Sequence, residues 1–170
     1  IMNKLFEKFK TKTPNYYSEH ESLIDNFAAK GGAERDKRET KGKHFSTFYE
    51  FYTYCFFLGL YNKEFQEIPS GKKKNFSMPI SSWGTKKGTG REDFSKLQEN
   101  IFIALITKVE VDFIALDKGD ITVDEICIDL WHNLESITNG GIYLVKEKHE
   151  ENRAYFHGET SFLDFIDKLR

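Results

Sequence analysis

Cysteine is scarce in this chain: two residues among 170, Cys55 and Cys127, both inside apolar helical patterns where a small buried thiol is the usual outcome. No disulfide framework is expected. Long hydrophobic runs are missing as well. The longest, such as Ile101 to Ile106, fall far short of the ~20 residues that a membrane span requires, and no charged leader precedes an apolar stretch. A cytoplasmic chain with no membrane partner is the expectation. Net charge is also small, since 25 basic residues face 27 acidic ones and leave -2.

Recognised catalytic patterns are absent too. There is no Gly-x-Ser-x-Gly elbow, and neither cysteine sits in an electropositive turn that would generate a thiolate. His20, His44, His149 and His157 have no zinc spacing. Asp129 and His132 share a helix face at i and i+3, and Glu125 and Asp129 at i and i+4, yet helical dinuclear sites draw such pairs from two helices and no second copy exists. Gly88-Thr-Gly90-Arg91 precedes a helix, as a phosphate cradle does. Glu92 and Asp93 stand where a P-loop needs lysine and a hydroxyl, and they would repel phosphate. No cofactor or metal is expected.

Aromatic residues are abundant. Phenylalanine occurs 16 times and tyrosine 8 times, and eight of these rings fall between Phe45 and Phe57. Thr47 and Glu50 have capping-box spacing, so this segment reads as a helix beginning near Ser46 or Thr47 and ending at Gly59. Its apolar residues surround the cylinder, which makes it the central core helix. The chain is long enough to bury roughly 70% of the surface exposed when unfolded. The expected fold is mainly α: a single-domain helical bundle around this aromatic helix, with a short β-hairpin. Residues 1–44 form an N-terminal helical arm and charged linker, and residues 45–170 the main helical domain.

Helical spacing recurs elsewhere. Leu5, Phe6 and Phe9 mark a short amphipathic helix before Pro14, and Leu23, Ile24 and Phe27 mark a second, capped by Ser18 and ending at Gly31-Gly32. Glu64 to Ile68 and Asn75 to Ile80 flank a turn and read as the hairpin, with Pro79 placing a segment on an edge. Phe94, Leu97, Ile101, Ala104 and Leu105 line a helix through Lys108. Val109 to Leu116 reads as another helix after a break, with a strand as the alternative. Thr122 and Glu125 form a second capping box for a helix with a stripe from Val123 to Ile137, ending at Asn139-Gly140-Gly141. Lys146 to Arg153 reads as a solvated stretch, and Ser161 caps a final helix.

Charge is unevenly distributed along the chain. Lys63 to Arg91 has six lysines and one arginine against two glutamates, whereas Glu110 to Glu135 has eight acids against Lys118. Lys72, Lys73, Lys74, Lys86, Lys87 and Arg91 lie on two neighbouring loops with Phe76 and Trp83 between them. This set could present cations to a nucleic-acid backbone and rings to its bases. Other readings are lysines that keep an edge hairpin soluble, or lysines that meet an acidic protein surface, the Glu110 to Glu135 half of a second copy included.

Three short motifs in order, Tyr54-Cys-Phe-Phe-Leu-Gly-Leu60, Ile80 to Trp83 and Glu135-Ser-Ile-Thr-Asn-Gly-Gly141, give residues 45 to 145 a resemblance. The segment resembles small accessory proteins encoded beside bacterial DNA phosphorothioation (Dnd) defence systems. The resemblance implies an intracellular protein linked to modified-DNA defence, with no assigned catalytic residue. The expected function is a non-enzymatic accessory or adaptor of a DNA-modification or phage-defence complex, touching DNA or an acidic protein partner through its basic loops. The alternatives are a module that self-associates through exposed aromatics into a homo-oligomer, and a metal-dependent hydrolase using Glu125, Asp129 and His132.

Overall fold

A computed structural model describes residues 1–28, 44–76, 78–85 and 93–169. The fold is mainly α with a short two-stranded antiparallel β element. Seven α-helices lie among the described residues: α1 (Met2–Lys10), α2 (Glu21–Phe27), α3 (Phe48–Asn62), α4 (Lys96–Val109), α5 (Phe113–Lys118), α6 (Val123–Glu151) and α7 (Ser161–Lys168). The strands are β1 (Asn15–Tyr17) and β2 (Lys73–Asn75). The expected hairpin of Glu64 to Ile68 with Asn75 to Ile80 is therefore not the pairing formed. Asn75 belongs to a strand, but its neighbour comes from far upstream in sequence.

The chain divides into two compact units, each built from two separate stretches: Ile1–Tyr16 with Lys74–Glu135, and Tyr17–Lys73 with Ser136–Arg170.

In the first unit α1 is an integral element. Leu5 and Phe9 are fully buried, and the rings of Phe6 and Phe9 lie 5.1 and 5.4 Å from that of Phe102 on α4. The Trp131 indole donates to the Phe9 carbonyl at 3.0 Å, so the end of α1 is held by a directional bond as well as by packing. Helix α4 ends where Glu110 turns left-handed at φ 55, and α5 starts after it. The expected break and second helix over Val109 to Leu116 are both present.

The second unit is organised around α3. Its start is the expected capping box: the Glu50 amide donates to Thr47 Oγ1 at 3.3 Å, and the Thr47 amide donates to Glu50 Oε2 at 3.2 Å. Its end is later than expected, at Lys63 in the left-handed conformation. Gly59 lies inside the helix for a different reason: a Cβ there would overlap the carbonyl of Ile137 on α6. Gly141, expected at the end of α6, likewise sits mid-helix, where a Cβ would overlap the Cys55 carbonyl. These glycines let two helix backbones approach each other, and α6 continues to Glu151. The charged stretch from Lys146 forms its last turns, half-buried to exposed.

The shorter helices of this unit start differently from expectation. Ser18 opens a single 3-10 turn, Ser18–His20, and α2 follows it without a side-chain cap. Its expected stop at Gly31-Gly32 lies outside the described residues. Ser161 is the first residue of α7 rather than its cap, and its hydroxyl donates back to the Gly158 carbonyl at 2.7 Å.

Around α3 the rings form one cluster. Phe162 stacks on Phe156 at 4.4 Å and meets Phe27, Phe45 and Tyr54 edge-on at 5.0 to 5.2 Å. The Tyr54 hydroxyl donates to the Phe162 carbonyl at 2.8 Å, giving a polar atom inside the cluster its partner. These edge-to-face contacts match the ring quadrupoles. They account for the large aromatic share of this core.

Candidate nucleic-acid interface

The basic segment enters through a turn at Gly71, which adopts φ +75 with open space around it. Residues 71–75 are all exposed, and β2 carries Lys73 and Lys74. Backbone bonds hold the segment from both ends: Ser18 N-H donates to the Lys72 carbonyl at 2.9 Å, and Phe76 N-H to the Pro14 carbonyl at 2.8 Å. A two-stranded element has open edges, and lysine on an edge strand disfavours pairing with another chain while leaving its charge in water.

Lys72 is engaged locally. Its Nζ lies 2.9 Å from Glu19 Oε1. That bond and the attraction behind it raise the lysine's pKa, and the glutamate's falls for the same reason, helped by the Tyr17 hydroxyl. The Lys72 charge is thus partly neutralised by a neighbouring acid.

The expected rings are not at the surface. Phe76 is 5% exposed and Trp83 fully buried, so neither offers a face to a base. Phe76 packs edge-on to Tyr16 and tilted against Trp83, both with centroids 5.9 Å apart. The Trp83 Nε1 donates to the Met78 carbonyl at 3.3 Å, and its carbonyl accepts from Gln98 Nε2 at 2.7 Å. Both rings are core of the first unit, because two large apolar side chains bury far more surface inward than a ligand would cover. Lys86, Lys87 and Arg91 lie outside the described residues, as does most of the glycine-rich loop. Its first member, Gly84, is a conformational requirement: φ is +72 and a Cβ would come within 2.6 Å of the Phe94 backbone.

The other sequence candidates are dispersed. Glu125 accepts from the Thr122 amide and hydroxyl at 2.8 and 2.7 Å, which closes the capping box and commits its carboxylate. Asp129 and His132 are exposed on the same helix. Among the described residues no three His, Cys, Asp or Glu side chains gather as a metal would require. Both cysteines are buried as free thiols. Burial pushes the Cys55 thiol well up and the Cys127 thiol up to about 11, so neither ionises near neutrality. No helix of the described residues is long and apolar enough to cross a membrane.

Two polar groups that pattern reading passes over are deeply placed. Glu135, 4% exposed, accepts from both the amide and the side chain of Asn15 through Oε1, at 3.0 and 2.8 Å, with Lys12 3.6 Å away. It fixes the first residue of β1. In the second unit His20, 1% exposed, is flanked edge-on by Tyr17 and Tyr143 at 5.0 and 4.8 Å. Neither of its ring nitrogens makes a well-formed hydrogen bond, and the Asn139 side chain nearby only weakly favours the protonated ring. Nothing in a single polar residue's spacing distinguishes these positions from exposed ones. Compared with protein-family models, with curated proteins and with solved structures, the chain finds no match.

Proposed function

We propose that this protein is a non-enzymatic accessory or adaptor of a bacterial DNA-modification or phage-defence complex, working in the cytoplasm and meeting the DNA backbone through Lys72, Lys73 and Lys74. The observation that supports this reading is the run of exposed lysines on an edge strand anchored at both ends. With Phe76 and Trp83 in the core, the contact is ionic: it grips phosphates and reads no base, so affinity comes from counterion release and is insensitive to sequence. The motif resemblance of residues 45 to 145 supplies the biological setting.

Binding of a labelled duplex, followed by fluorescence anisotropy as salt is raised, tests it. Three lysines on phosphates give a slope of about -3 in log K against log salt, and recruitment of further cations from the glycine-rich loop steepens it. Charge reversal of Lys73 and Lys74 should abolish binding at every salt concentration. Absence of binding by the parent protein at low salt rejects the nucleic-acid reading and leaves an acidic protein as the partner to seek.

A further inference from the structure

Helix α5 is unusual among the helices in how little of it is buried. None of its six residues is buried, although Phe113, Ile114, Ala115 and Leu116 are apolar in succession. Ile114 is 68% exposed, the highest value among the large hydrophobic side chains described. Phe113, Ala115 and Leu116 are half-buried, and the caps at the two ends add to that partial burial. Asp112 Oδ1 accepts from the amides of Ile114 and Ala115 at 3.0 and 2.9 Å, and Gly119 closes the other end at φ +81. A short helix capped at both ends, with its isoleucine in water, presents a surface.

The charge around that surface is mainly acidic. Glu110, Asp117 and Asp120 are exposed, whereas Asp112 is engaged in the cap and Asp124 pairs with Lys8 at 2.8 Å. Against these acids stand Lys118 on α5 and the exposed Lys108 at the end of α4. An occupant must therefore carry cations over an apolar stem. Lysine does this, since its methylene chain covers an isoleucine while its ammonium reaches a carboxylate. The chain itself presents such a segment in the exposed run at 72–74. Its net charge of -2 offers little overall repulsion between copies.

We infer that α5 and its flanking acids form a self-association surface, whose occupant is the Lys72, Lys73 and Lys74 segment of a second copy of this chain. One short helix against one short strand is a small contact, so the pair exchanges rapidly and is screened by salt. The inference shares its lysines with the proposed DNA contact, so DNA and the second copy compete for them. Its acidic half is independent of that reading.

Sedimentation velocity of the full chain over a range of concentrations tests the surface. At low salt the sedimentation coefficient should rise with concentration, and the rise should disappear at high salt, in Ile114→Ser, in Asp117→Lys/Asp120→Lys and in Lys73→Glu/Lys74→Glu. Mixing the two charge-reversed chains, neither of which associates alone, should restore the rise. A parent chain whose coefficient does not change with concentration overturns the inference. So does association that survives Asp117→Lys/Asp120→Lys, or a mixture that stays monomeric. Because that acidic pair lies outside the lysine run, its loss of self-association with DNA binding intact separates failure of this surface from failure of the DNA contact.

Discussion

The two compact units contain similar residue types and use them differently. In the second, rings interlock around Phe162 and helix backbones meet at Gly59 and Gly141, so the fit leaves no room for an added methyl group. In the first, apolar burial is supplemented by directional polar bonds: Asn15 to Glu135, Gln98 to the Trp83 carbonyl, and Trp131 to the Phe9 carbonyl. The first unit also carries the exposed isoleucine of α5 and the acids around it. Close steric packing tolerates little change at the positions where backbones meet, whereas a core braced by polar bonds loses those bonds one at a time. The difference predicts which substitutions destroy the fold and which alter only recognition.

The most damaging change belongs to the second unit. Gly141→Ala places a Cβ against the Cys55 carbonyl, which is backbone and cannot rotate away. The expected loss is at least about 3 kcal/mol, or no folded protein at all, in urea unfolding followed by far-UV circular dichroism. Gly158→Ala in the same unit meets nothing within 4 Å and should change stability by less than about 0.5 kcal/mol. Both tryptophans, Trp83 and Trp131, fall in the first unit. Their emission recorded in parallel shows whether that unit melts with the damaged one. Equal behaviour of the two alanine variants would remove the contrast between steric and polar bracing.

The same glycines mark the boundary between what is legible in a sequence and what is not. Capping boxes are legible because both partners lie three residues apart: Thr47 with Glu50 and Thr122 with Glu125 form as their spacing predicts. The break at Glu110 and the stripe of α6 are legible for the same reason, since the signal is local. Gly59 and Gly141, by contrast, read as helix ends. A glycine that ends a helix and one that admits a second backbone look the same until the second helix is in place. The strand pairing of Asn15–Tyr17 with Lys73–Asn75 is illegible for the same cause, because its partners are far apart in sequence. The basic run itself is exposed as expected, but no pattern in Phe76 and Trp83 says which way a ring faces once the chain has folded around it.

Acid should expose another weakness of the second unit. Burial first, and then the Lys146 charge, push the His20 pKa from 6.5 down to about 4. Between those values the unfolded chain binds a proton that the folded chain refuses. Stability therefore falls as pH drops through this window, by an amount on the order of 3 kcal/mol once pH reaches the lower value. His149 moves in the same direction, through burial and then Arg153. Unfolding midpoints measured across the window should fall more steeply in the parent than in His20→Gln, which cannot take up the proton. Parallel slopes would show that His20 is reached by water in the folded state.

In the first unit the matching test is polar. Glu135→Ala leaves the Asn15 amide and side chain without their buried acceptor, at an expected cost of about 2 kcal/mol. Glu135→Gln retains one acceptor oxygen and loses the charge that faces Lys12, so it should fall between the parent and Glu135→Ala. If Glu135→Gln is as damaging as Glu135→Ala, the charge matters more than the hydrogen bonds, and the contrast between the units is electrostatic.

The smallest effect on stability is expected where the proposed function lies. Lys72, Lys73 and Lys74 are exposed, and the ion pair between Lys72 and Glu19 joins side chains that are 52% and 54% exposed. Exposed pairs of this kind contribute little, because water and salt screen them and two long side chains must be held still. Reversing all three lysines should therefore leave the urea midpoint unchanged while duplex binding disappears. Reversal places a glutamate at position 72 beside Glu19, a repulsion that the two side chains can relieve by rotating into solvent. A midpoint that falls with the triple change would mean that the strand is held by its charges. The lysines would then brace the fold as Glu135 does, and loss of DNA binding in that variant would no longer identify a contact surface.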